Sequence, residues 1–296
     1  MEGANPGHGR RRGRTITLLA AAAVAVLAAA GTAVLVLHTR PGRIPVHVLP
    51  VGQNINSATA IAVDGPHVWV ASETDRWGGS VTELDASDGR WVRTLSGARY
   101  GIHSPTAIAA DGAYLWVANG SGSVTELDAS DGGWVRTLSG ARYGFNAPYS
   151  IASAGGRIWV TNLYPGIAGG SVTELNAGDG SWVATLTGGC YNFDSPHGIA
   201  VDGSHIWIAN SGASRAGGSV TELNASNGGW IQTLSDGTWI QSLLRGCIPG
   251  VLASGGYHFS NPGLVAAVGP RIWVFGRDGV RVLTDPAARP GRGERP

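Results

Sequence analysis

From residue 57 onward the chain alternates apolar and polar positions in short runs separated by Gly, Asp and Asn. A two-residue period of this kind marks half-buried strands, and no 3.6-residue period occurs after residue 38. In SPTAIAADGAYLWVANGSGSVTELDASDGGWVRTLSGARYGF four runs follow one another. They predict antiparallel strands, here a to d, at roughly 107–110, 114–119, 123–128 and 134–138. The turns from a to b (Asp64-Gly65, Asp111-Gly112, Gly155-Gly156, Asp202-Gly203) and from c to d (Asp88-Gly89, Asp131-Gly132, Asp179-Gly180, Asn227-Gly228) have hairpin chemistry, because Gly and Asn adopt positive φ at little cost.

The unit recurs. Trp69, Trp116, Trp159, Trp207 and Trp273 mark five copies of strand b, spaced by 47, 43, 48 and 66 residues. A four-stranded unit of this length is a propeller blade, so the expected fold is all-β: a five-bladed β-propeller over residues 44–286. Its blades fall at about 57–97, 105–140, 148–188, 196–235 and 262–285. The a–b frame is constant, with 11 residues from Pro105 to Trp116, Pro148 to Trp159, Pro196 to Trp207 and Pro262 to Trp273. Length varies in the b–c loops and in one d–a connector, which leave the fold on one face and make that face the expected functional surface. The fifth copy supplies only strands a to c. Residues 45–51 align with strand d of the first copy (Val46 with Val92, Leu49 with Leu95) and are expected to complete the last blade and close the ring; the alternative is a fragment that a partner chain completes. Between Trp230 and Pro262 lies an insertion in which Trp239-Ile-Gln-Ser-Leu echoes Trp230-Ile-Gln-Thr-Leu.

Composition sets the compartment. With 43% hydrophobic residues the chain can bury a large core, and all 21 of its basic residues are Arg. Residues 44–286 hold 12 Arg against 18 Asp plus Glu, a net −6, which excludes a nucleic-acid partner on electrostatic grounds. Residues 15–37 carry no charge and, at about 1.5 Å per residue, are long enough as a helix to cross a hydrocarbon core of roughly 30 Å. Arg10, Arg11, Arg12 and Arg14 precede them, so the positive-inside rule leaves residues 1–14 in the cytoplasm and places the domain, after a linker at 38–43, outside on a single-pass anchor. The alternative is a cleaved signal at Ala28, Ala30 and Ala33 and a secreted domain. Residues 287–296, rich in Pro, Gly and Arg, are expected to form a disordered tail. Outside the cytoplasm Cys190 and Cys247 can pair across neighbouring loops, or stay as two free thiols.

Ile158-Trp159-Val160-Thr161-Asn162, Trp116-Val117-Ala118-Asn119 and Trp207-Ile208-Ala209-Asn210 resemble the YVTN and NHL group of propellers, near the virginiamycin B lyase-like proteins. The resemblance implies the fold; its members include lyases, lactonase-like hydrolases and non-enzymatic binding proteins.

Propeller ligands sit at the mouth of the central channel, where the first variable position of strand a is Thr59, Thr106, Tyr149, His197 and Gly263 in turn. His197 is the one imidazole there and the candidate general acid or base; Asp194, Asp75 and Glu73 are the nearest candidate carboxylates. Arg76, Trp77, Tyr164 and Arg215 in the long b–c loops make a candidate binding surface. Glu83, Glu126, Glu174 and Glu222 repeat at one place in strand c, as Asn119, Asn162 and Asn210 do at the end of strand b, and both read as structural. Asp128-Ala-Ser-Asp-Gly lacks the further ligands of a calcium loop. No metal or cofactor is expected. The expected function is a membrane-anchored module binding a protein, glycan or small ligand, with a lyase or lactonase-like hydrolase at the channel mouth as the alternative.

Overall fold

The computed structural model describes residues 34–36, 46–48, 55, 57–74, 78–163, 169–188, 191–212, 218–235, 259–268, 271–277 and 279–284. The described residues open with β1 (Val34–Val36) and β2 (Val46–Val48), followed by the first sheet: β3 (Ala58–Asp64), β4 (His67–Glu73), β5 (Gly79–Asp85) and β6 (Trp91–Ser96). The second holds β7 (Pro105–Ala110), β8 (Tyr114–Asn119), β9 (Ser123–Asp128) and β10 (Trp134–Ser139). The third has β11 (Pro148–Ala154), β12 (Arg157–Asn162), β13 (Ser171–Asn176) and β14 (Trp182–Leu186), and the fourth β15 (Pro196–Asp202), β16 (His205–Asn210), β17 (Ser219–Asn224) and β18 (Trp230–Leu234). The fifth contains β19 (Leu264–Val268), β20 (Arg271–Gly276) and β21 (Gly279–Thr284). Every sheet is an antiparallel meander in sequence order.

The sheets pack face to face through repeated cores. Trp69, Ala71, Val81 and Leu95 of the first meet Ile108, Leu115, Val117 and Leu127 of the second. Trp116 of the second meets Ile151, Ile158, Val160 and Leu175 of the third, and Trp159 of the third meets Ile199, Ile206, Ile208 and Leu223 of the fourth. Each strand-b tryptophan of the first four sheets thus fills the gap to the next sheet, which is why it recurs, while Trp273 of the fifth is only half-buried. The inner strands β3, β7, β11, β15 and β19 neighbour one another in that order. The b–c loops lock onto the following sheet at glycine: a Cβ on Gly79 would sit 2.6 Å from Pro105 Cδ and 2.7 Å from Ile102 Cγ2.

One expectation needs correction. Among the described residues of the expected closing segment 45–51, Val46–Val48 is not a strand of the fifth sheet. Val46–Val48 pairs with Val34–Val36, Val34 facing Val48 and Val36 facing Val46, while β19, β20 and β21 remain a three-stranded sheet. Both segments are β-branched and near in sequence, so joining them closes a short loop at about 3 kcal/mol less entropic cost than reaching β21. The same pairing places residues 34–36 of the expected 15–37 span in a strand; residues 15–33 and 37 lie outside the described residues, among which no helix is long and apolar enough to cross a membrane. The connectors also hold short 3-10 helices at Ala98–Tyr100 and Ala141–Tyr143, absent from the pattern-based reading.

Candidate functional site

The residues at the start of the inner strands share a backbone device. Ser57, Ser104, Ala147, Ser195 and Asn261, each just ahead of strand a, lie in the left-handed region at φ of 57, 47, 49, 51 and 49°. A register shift follows at once in four sheets: between Ala58 and Ala60, Pro105 and Ala107, Pro148 and Ser150, and Pro196 and Ile199. The extra residue is Thr59, Thr106 and Tyr149 in the first three, and comes from His197-Gly198 in the fourth. A bulge leaves one residue out of the ladder and re-aims its side chain. Four of the five mouth positions expected from sequence are therefore bulge positions; at the fifth, Gly263 donates its N–H to Phe275 O at 3.0 Å.

Their chemistry divides. The Thr59 hydroxyl donates to Ala71 O at 3.3 Å, and that of Thr106 lies 3.2 Å from Ala118 O and 2.8 Å from Pro148 O on the next inner strand. Both hydroxyls serve the scaffold. Tyr149 and His197, on adjacent strands β11 and β15, instead meet edge to face, with ring centroids 4.7 Å apart at 66°. His197 Nδ1 is 2.7 Å from Ser195 O. A carbonyl only accepts, so Nδ1 carries the proton and the neutral ring keeps its lone pair on Nε2. Thr161 Oγ1 donates to His197 O at 3.0 Å and holds the backbone of that strand, a contact without a sequence signal because Thr161 belongs to strand b of another sheet. Close approach of β15 to β19 explains Gly198: a Cβ there would stand 2.9 Å from Gly263 O.

Glu73 is exposed at the end of β4 and Asp194 is buried in the connector before β15. Arg76, Trp77, Tyr164, Arg215, Asp75, Cys190 and Cys247 lie outside the described residues. Among the described residues no three His, Cys, Asp or Glu side chains are grouped to hold a metal.

The repeated carboxylates are buried mid-sheet, each with a different set of neighbours. Glu83 has His67 Nδ1 at 2.6 Å and Arg93 Nε at 2.7 Å; Glu126 has Arg136 Nε at 2.9 Å; Glu174 has Arg157 Nε at 3.4 Å; Glu222 has His205 Nε2 at 3.8 Å and the Gln232 amide. Arg93 and Arg136 also donate to the carbonyls of Asp131 and Asp179 in the following sheet. At Glu126 the guanidinium is within ion-pair range, yet neither carboxyl oxygen receives a well-directed hydrogen bond. Burial pushes this group up to about 7, with Arg136 opposing and Asp111 and Asp179 adding to the rise. Burial also raises Glu174, against Arg157. The acids are paired within their own sheets, and Arg93 and Arg136 carry the tie to the next. Asn119 ties the loop end of its own sheet to the connector before it, its Nδ2 donating to Ser123 Oγ and Thr125 Oγ1 while Oδ1 accepts from His103 N.

The chain is similar in structure to the hydrazine synthase of Kuenenia stuttgartiensis, with a TM-score of 0.54 at 16% identity over 80% of this chain and 79% of that one. Together with the repeated sheets, that likeness decides the architecture. The fold is a β-propeller. A computationally designed protein, Ika4, overlaps 64% of this chain and 94% of its own at 13% identity, with a TM-score of 0.45. No family model matches the chain and no curated protein matches it in sequence, so the YVTN and NHL resemblance rests on the strand-b residues of the propeller alone.

Proposed function

We propose that this chain is a membrane-anchored, extracytoplasmic propeller of five blades that acts as a binding module, taking a protein, glycan or small ligand at the bulged inner-strand mouth. The observation that carries this reading is the Tyr149–His197 pair: an exposed phenol ring set edge-on to an imidazole whose Nδ1 is committed to Ser195 O. Nε2 is left to accept a hydrogen bond from a ligand hydroxyl or amide while the Tyr149 ring covers an apolar face. Thr59 and Thr106, whose hydroxyls are spent on backbone carbonyls, form the indifferent part of the rim.

A thermal-shift screen of the full-length protein against glycan and metabolite libraries tests this. A hit whose shift disappears in Tyr149→Ala and in His197→Ala but persists in Thr59→Val supports the site; a hit indifferent to all three removes it. Anchoring is supported by the uncharged stretch 15–37 behind four Arg residues. Recovery of the protein in the alkaline-washed membrane pellet, with its C-terminal domain open to external protease, is the expected result, and release into the wash would count against it.

The second reading, a lyase or lactonase-like hydrolase, draws on the same tautomer, since an Nε2 lone pair is what a general base requires. Measuring divalent-ion content by mass spectrometry and lactone turnover in wild type and His197→Ala separates the two readings. Turnover or stoichiometric metal lost with His197 would favour the enzyme.

A further inference from the structure

The fifth sheet ends the array of sheets with an apolar face that is left exposed. The inner strands neighbour one another in chain order from β3 to β19, and among the described strands β19 does not return to β3 in the same way. Pairing register puts Leu264, Phe275 and Val280 in one row, Ala266, Trp273 and Val282 in the next and Val268, Arg271 and Thr284 in the third, all on one side of the sheet. The other side, with Ile272, Val274 and Leu283, packs on Trp207 of the fourth sheet. On the first side Leu264, Val268, Phe275, Val280 and Val282 are exposed, from 39% at Phe275 to 60% at Leu264. Trp273 is half-buried in a place where Trp69, Trp116, Trp159 and Trp207 are at most 1% exposed.

The side chains on this face depart from their counterparts in one direction. Where Leu264 stands, the earlier sheets have Ala60, Ala107, Ser150 and Gly198; where Phe275 stands they have Ala71, Ala118, Thr161 and Ala209. Val282 takes the place of Glu83, Glu126, Glu174 and Glu222, and Val268 that of Asp64, Asp111, Ala154 and Asp202. Small residues near the inner strand are what let the next sheet come close: a Cβ on Gly198 would already stand 2.9 Å from Gly263 O and 3.0 Å from Leu264 Cα. Leu264 and Phe275 in those places hold a further blade of this repeat away from the distance used at the other junctions. The face is larger in its side chains and more apolar than a blade junction, so it suits a different occupant.

The first sheet narrows the choice. Val68, Val70 and Leu84 on its back face are already buried, among Ile55, Ile61 and Ala86. A head-to-tail contact between copies is therefore closed off, and like on like remains. The one charge on the exposed face, Arg271, lies in an end row. A two-fold axis across the strands sets the two guanidiniums at opposite ends, each over the partner's Leu264–Phe275–Val280 row, where it can stack on the partner's Phe275 ring. No like charges meet. At about 100–200 Å² for a large side chain, the exposed parts of the five apolar residues with Trp273 and Arg271 come to roughly 500 Å² per copy. Two copies bury about 1,000 Å², the lower limit for a specific interface, so the association is expected to be reversible.

We propose that two copies of this chain associate across a two-fold axis through the exposed face of the fifth sheet, each burying Leu264, Phe275, Trp273 and Val282 against the other.

Sedimentation velocity on full-length protein, in a mild detergent density-matched to the solvent, reads the association directly. Wild type should pass from monomer to dimer within the micromolar range. Val282→Glu restores the residue that the first four sheets carry at this place, so the fold should accept it. It should raise the dimer dissociation constant roughly 100-fold or more, because each acid would be buried against an apolar surface. Leu264→Asp should act alike, and Val63→Glu, at an equally exposed valine of the first sheet, should change nothing. Amide exchange on the unsubstituted chain gives a check that no folding defect can imitate: peptides from 264–284 should exchange faster on dilution while those from 114–128 stay fixed. A wild type that is monomeric throughout the micromolar range would overturn the proposal. So would a dimer that survives both face substitutions, since the contact would then lie elsewhere on the molecule.

Discussion

Arg136 spans two blades: its Nε lies 2.9 Å from Glu126 Oε2 in its own sheet, and its terminal nitrogen donates to the Asp179 carbonyl of the next. One side chain both neutralises a buried acid and ties adjacent turns. Its effect on pH dependence can be worked out in sign.

Glu126 sits at about 7 in the folded chain, above the ordinary 4.5. Between those two values the native state retains a proton that the unfolded chain has released. The stability tied to this carboxyl is complete below about pH 4.5 and is lost as pH rises to about 7, with a slope of up to about 1.4 kcal/mol per pH unit. Glu126→Gln should flatten that decline, leaving the contribution of Glu174, which burial also raises. Urea midpoints at pH 5 and pH 7.5 read the difference; parallel declines in the two proteins would show that Glu126 does not hold the proton.

Gly79→Ala should cost about 1–3 kcal/mol, because its Cβ would press on Pro105 Cδ and Ile102 Cγ2 in a close-packed junction between sheets. Gly97→Ala meets no atom within 4 Å and is opposed only by its φ of +91°. About 1 kcal/mol is the expected cost there. Differential scanning calorimetry should place the first variant's transition below the second's by a few degrees; the reverse order would mean that the junction yields.

Two buried tryptophans in equivalent places should respond differently to Phe. Trp116 Nε1 donates to Asp111 Oδ2 at 3.0 Å, whereas Trp159 Nε1 has no partner and Ala154 stands where Asp111 would be. Trp116→Phe loses packing and a hydrogen bond and strands the Asp111 acceptor, so it should cost about 1 kcal/mol more than Trp159→Phe in denaturant unfolding. Equal costs would place an unseen acceptor at Trp159.

Much of the fold was legible because it is iterated. Strands β8 and β9 fall where alternation put them, and β7 begins two residues early because Pro105 still pairs with Asn119. Local pattern could not show the partners of the buried acids. The Glu position is constant, while its counterparts come from strand b in one sheet (Arg157) and strand d in another (Arg136). The mouth positions stood out as variable residues in a repeated frame, but the bulge that aims them is a backbone property carried by the residue before, and Ser104 or Ala147 carries no such signal in its side chain. The pairing of Val46–Val48 went elsewhere because its β-branched pattern fits more than one edge, and alignment alone does not weigh loop length.

The left-handed residue ahead of each inner strand has a consequence for variation. Four bulges carry residues as unlike as Thr, Tyr and His, so the aim of the mouth does not depend on which side chain is aimed. At positions 149 and 197 recognition can therefore drift, or be selected from a randomised library, without changing the bulge that presents it, while Thr59 and Thr106 stay tied to the backbone carbonyls they serve.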